Sequence, residues 1–186
     1  EHAHEGTGPG EHGSLSALAA LLEEHAIGSG RITPRPRGLR LTPDIRATLE
    51  AAVLAVEGSP VYSAIASASM VYGNGCYVAG RHADASEVYL AILEDQPSNA
   101  DARFNLGLAY LRLRSPQDAV REFTDVLVQE PTWSEAFYQR GNAHDDLGLA
   151  ERALADYGRA IELDPGYVQA MYNRGIVLAQ AGRHQE

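Results

Sequence analysis

Residues 100–133 read ADARFNLGLAYLRLRSPQDAVREFTDVLVQEPTW. The stretch holds Leu106–Gly107, Tyr110, Ala119, Phe123 and Pro131, with a helix start at Ser115–Pro116 between its halves. The same marks recur outward in both directions: Gly73, Gly107, Gly141 and Gly175 stand 34 residues apart, as do Pro97, Pro131 and Pro165. Ala68, Ala102, Ala136 and Ala170 keep that period in the first half of each unit. In the second half Ala85, Ala119 and Ala153 do so, followed by Tyr89, Phe123 and Tyr157. A glycine and an alanine at fixed offsets serve a helix crossing that tolerates no side chain, and the proline stops the second helix. Capping signals precede the expected helices: Ser98 with Asp101, Ser115 with Asp118, Thr132 with Glu135.

These residues resemble the signature of the tetratricopeptide repeat family: a Leu-Gly pair, a Tyr, an Ala, an aromatic, an Ala and a final Pro. Residues 134–167 keep Gly141, Ala153, Tyr157, Ala160 and Pro165, with Arg140 and His144 in place of the Leu and Tyr; residues 66–99 match more weakly, with Tyr72–Gly73 and Cys76. The resemblance implies an all-α fold, a right-handed α-solenoid of antiparallel helix hairpins. Its expected units are 66–99, 100–133, 134–167 and an incomplete 168–186. In that last unit the apolar face of Met171, Ile176 and Leu178 has no second helix of its own. A continuing parent chain, or self-association through the open unit, is therefore expected.

Upstream, residues 1–13 contain three His, four Gly, three Glu and one Pro with almost no apolar side chain, the composition of a flexible tail. Residues 14–40 are read as a helix from Ser14 to Ile27 followed by a linker with two Pro and four Arg, and residues 41–65 as a capping helix from Thr42 leading into the first repeat. Both helices are expected to cap the solenoid.

A formal charge of -10 disfavours nucleic acid and anionic membrane surfaces, and no apolar run is long enough to span a bilayer. With Cys76 the single cysteine, neither an intrachain disulfide nor a cysteine-based zinc site is expected. His2, His4 and His12 lie in the tail without fixed geometry, and Gly8–Pro9–Gly10 and Gly73–Asn74–Gly75 lack the strand and Lys-Ser/Thr context of a phosphate loop. Cys76 and His144 fall at equivalent packing positions, which does not make them a catalytic pair. No catalytic residue, metal or cofactor is expected, and the compartment is not encoded in these features.

In the tetratricopeptide family the first helices line a concave groove, so the resemblance places Phe104, Tyr138 and Tyr172 there with Asn105, Gln139 and Asn173, joined by Asn142. Such an amide row, similar to that of O-linked N-acetylglucosamine transferases, can pair with the peptide bonds of an extended ligand. The cations of the family's two-carboxylate clamp are missing, while Asp101, Glu135, Asp145 and Asp146 tint the groove acidic. The implied function is a protein-interaction scaffold binding a protein or peptide, neutral to basic. The rival is the recognition portion of a larger enzyme, such as a glycosyltransferase or kinase, whose catalytic domain lies outside these residues.

Overall fold

The computed structural model describes residues 17–18, 20–22, 47–48, 51–55 and 70–182. The tail with His2, His4 and His12, the Pro/Arg linker and the entry to the first repeat lie outside the described residues. Ala17, Leu18, Ala20, Leu21 and Leu22 are helical, as are Ala47, Thr48 and residues 51–55. From Met70 onward the elements are α1 (Met70–Ala79), α2 (His82–Asp95), α3 (Ala100–Arg112), α4 (Pro116–Gln129), α5 (Ser134–Asp146), α6 (Ala150–Leu163) and α7 (Val168–Gln180). The chain is all-α over the described residues and falls into two compact units, Glu1–Pro97 and Ser98–Glu186.

In the first unit, α1 is packed from two sides, and two glycines mark the contacts. A Cβ on Gly73 would lie 2.7 Å from the Tyr89 ring of α2; one on Gly75 would lie 2.9 Å from Leu18 and 3.1 Å from Val53. Leu18, Leu22 and Val53 are buried, so the N-terminal helical segments seat on α1 through aliphatic side chains.

In the second unit α3 packs on α4, α4 on α5, α5 on α6 and α6 on α7. The repeated glycine has the same use here. A Cβ on Gly107 would lie 2.7 Å from Phe123, and one on Gly141 2.7 Å from Tyr157. The glycine thus makes room for an aromatic ring of the following helix. This refines the sequence-based expectation of bare backbone approach: the gap left by the missing side chain is filled by the ring, which is fully buried in each case.

Each hairpin turns through a left-handed residue at one repeat position. Gly80, Gly148 and Gly182 adopt φ of 87°, 70° and 72°, and Arg114 holds the same place with φ 60°. An L side chain in that region is strained, so residues 100–133 pay a local cost that the other units avoid.

The caps differ in detail from the sequence signals. Asn99, not Ser98, caps α3, accepting from the Ala102 N–H at 2.9 Å. Ser115 stands at the N-cap of α4 with Pro116 behind it but makes no side-chain cap bond, and Trp133 rather than Thr132 precedes α5. Trp133 sits there because its indole is needed in the core against Phe104, at 4.5 Å between ring centroids.

Candidate functional site

The seven residues expected to line a groove divide into three groups. Phe104 is fully buried, stacked on Trp133 and tilted against Phe123 at 5.5 Å. Asn105 is fully buried and Gln139 nearly so. These three cannot face a partner in this fold, because α3 and α5 turn those positions into the packed interior; the expectation of an open row Asn105–Gln139–Asn173 is corrected on that point. Tyr138, Asn142 and Asn173 are partly exposed, and Tyr172 is 68% exposed.

The partly exposed residues bond mainly to one another. Tyr157 donates its hydroxyl to Asn142 Oδ1 at 2.9 Å, and Asn173 Nδ2 donates to the same oxygen at 2.9 Å and to Tyr138 Oη at 3.2 Å. Asn142 Nδ2 in turn donates to Gln139 Oε1 at 3.1 Å. The amide row therefore stitches α5 to α6 and α7. The stitch has a twin in the first unit, where Tyr89 donates to Asn74 Oδ1 at 2.9 Å across the same 15-residue separation. Residues 100–133 carry Leu108 and Phe123 at those two places. Amide and hydroxyl occur together or are replaced together, as burial of either alone would leave a polar group unpaired.

A second network replaces apolar packing between α5 and α6. Arg140 donates from Nε and Nη2 to both oxygens of Asp156, at 2.9 and 2.7 Å, and His144 Nδ1 lies 2.9 Å from Asp156 Oδ2. Burial pushes the His144 pKa below its ordinary value; Asp156 pulls it up and the Arg140 charge pushes it down. His144 is thus held neutral, donating from Nδ1 to a carboxylate already gripped by a guanidinium. In α3 and α4 the equivalent acid is Glu122, bonded by Arg103 Nη1 at 3.0 Å. The arginines of α3 and α5 at the packed interfaces are therefore committed to internal carboxylates.

At the C-terminal end of α5, Asp145 and Asp146 are both exposed. Burial, and then the charge of Asp146, raise the Asp145 pKa; Asp145 in turn adds to the burial that raises the Tyr157 phenol beneath it. The two carboxylates thus stand together at the negative end of a helix dipole, on the same helix as the partly open amide of Asn142. Among the described residues no three His, Cys, Asp or Glu side chains converge as metal ligands would, and no helix is long and apolar enough to cross a membrane. Cys76 is buried and forms no disulfide.

The sequence profile described as tetratricopeptide repeat matches residues 73–133 and 138–186. The chain belongs to the tetratricopeptide repeat family. Among solved structures it is similar to MamA, at 28% identity and TM-score 0.58 over 60% of this chain and 66% of that one. It is also similar to the second tetratricopeptide domain of human RPAP3 in complex with the HSP70 peptide SGPTIEEVD, at 28% identity and TM-score 0.57 over 64% of this chain and 98% of that one. MamA from Desulfovibrio magneticus RS-1 covers 97% of this chain, and the chain 90% of it, with TM-score 0.66 at 16% identity, a likeness of fold alone. No curated protein sequence matches the chain.

Proposed function

We propose that this tetratricopeptide domain is a non-catalytic interaction module that binds an extended, neutral to basic protein segment across the first helices of its second unit. Family membership supports the interaction role, and the charge pattern supports the kind of partner. The single observation that carries the choice is the contrast between committed and uncommitted charge. Arg103 and Arg140 are tied to Glu122 and Asp156, whereas Asp145 and Asp146 face solvent. A site so built repels an acidic tail such as SGPTIEEVD and favours Lys or Arg. Tyr138, Asn142 and Asn173 flank the carboxylates and supply an aromatic edge and amides for a backbone, with Gln139 accepting from Asn142 from within; Phe104 and Asn105 lie in the core of α3. Selection of a displayed random-peptide library on the folded chain tests this. Enrichment of Lys- and Arg-bearing peptides, with no retention of SGPTIEEVD, is the expected result. Enrichment of acidic C-termini, or no enrichment at all, would overturn it.

A further inference from the structure

Two neighbouring hairpin tips of the second unit carry opposite charge. At the α3–α4 tip Arg112, Leu113 and Arg114 are exposed; at the α5–α6 tip Asp145, Asp146 and Leu149 are exposed. Both α3 and α5 pack on α4 and touch each other, and Arg112 and Asp146 stand 34 residues apart, at one repeat position. The tips therefore lie side by side on one edge of the unit, about one interhelical spacing of 8–10 Å apart. Arg114 is unusual on two counts. It holds a left-handed φ of 60° where Gly80 and Gly148 stand in the other hairpins, so a side chain is kept at a place whose backbone favours none. Arg103, Arg121, Arg140 and Arg159 are in ion pairs, whereas Arg114 has no ion pair or side-chain hydrogen bond, nor do Asp145 and Asp146. No polar contact within the chain accounts for the strain at Arg114.

We infer that this edge is a contact between two copies of the chain, arranged about a two-fold axis that sets the arginine tip of each against the aspartate tip of the other. A two-fold contact needs one surface to complement itself. This edge does so. The sign of charge reverses from one tip to the next, and each tip carries a leucine, Leu113 and Leu149, 38% and 39% exposed, so that Leu113 of one copy meets Leu149 of the other. A partner of a single sign would be matched by one tip and repelled by its neighbour, which makes a second copy the occupant rather than an acidic or a basic protein. The charge of -10 on each copy opposes approach, but salt at about 0.15 M screens it beyond about 8 Å and leaves pairs in contact. The pairing does not depend on the peptide reading. Both use Asp145 and Asp146, so a peptide bound there competes with the second copy.

Sedimentation of the 186-residue chain over a wide concentration range, in about 0.15 M salt, is the test. Two tips bury less than the about 800 Å² per partner of a standard interface, so a dimer that dissociates on dilution is expected. Arg114→Glu and Asp145→Arg/Asp146→Arg should each weaken it by about tenfold or more, because like charges then face each other. Mixed in equal amounts, the two variants should dimerise again, since the unaltered aspartate tip of the first meets the unaltered arginine tip of the second. Both should keep their helical circular dichroism, cations at the end of α5 being favoured by the helix dipole. Arg114→Gly should also weaken the dimer while raising the melting temperature of the dilute chain, which separates a contact made between copies from one that supports the fold. A monomer at every concentration would overturn the pairing. So would a dimer indifferent to these variants, or a mixture no more associated than its components.

Discussion

Leu108 and Phe123 test whether the amide–phenol stitch is a true pair. In the flanking units those places hold Asn74 with Tyr89 and Asn142 with Tyr157. Leu108→Asn alone buries an amide without its phenol, and Phe123→Tyr alone buries a hydroxyl without its acceptor. Each should cost about 1–3 kcal/mol in urea unfolding. The double variant should recover at least part of that loss, giving a favourable coupling of about 0.5–1.5 kcal/mol. Additive losses would show that the two places do not meet in residues 100–133. The stitch was not read from the sequence, where Asn142 is expected to face a ligand; its bond to Tyr157 ties it to α6 instead. The other groove residues were no more legible, because a 34-residue period marks equivalence but not which equivalent side chain turns inward. Phe104 shares its repeat position with the exposed Tyr172, yet it is buried and stacked on Trp133.

At the scale of the helix, α5 departs from its family pattern at Arg140 and His144, and the sequence showed the departure without its cause. Asp156 on α6 supplies it, taking both groups at once. The sign of the pH dependence follows from the lowered His144 pKa. The folded state keeps the ring neutral, so its contribution is present above the ordinary value of 6.5 and is lost as pH falls through it toward the lower folded value. Between about pH 7.5 and 5.5 the urea midpoint should fall with acid. In His144→Gln, which can still donate to Asp156, that fall should be shallower; an unchanged slope would remove His144 as its source. The turn from α3 to α4 offers a second test. Arg114 holds a left-handed φ of 60° where Gly80 and Gly148 stand in the other hairpins, so Arg114→Gly should stabilise by about 0.5–1 kcal/mol in thermal melting. A loss of stability would mean that contacts of the Arg114 side chain outweigh the relief of strain.

For the whole molecule, the fold was readable because Gly, Ala, an aromatic and Pro recur at offsets that only stacked hairpins need. Function was readable only to the level of charge: many acids, no clamp of cations, and two arginines, Arg103 and Arg140, that the structure shows to be engaged by internal carboxylates. Triple replacement of Asn105, Gln139 and Asn173 does not isolate binding, since the first two are core. The direct measurement is calorimetric titration of a library-selected basic peptide into the wild-type chain and into Asp145→Asn/Asp146→Asn, with circular dichroism to verify folding. Two exposed charge pairs at about 0.2–1 kcal/mol each correspond to a loss of about twofold to thirtyfold in affinity, shrinking as salt is raised. Equal affinity in a folded double variant, with no salt dependence, would contradict the account.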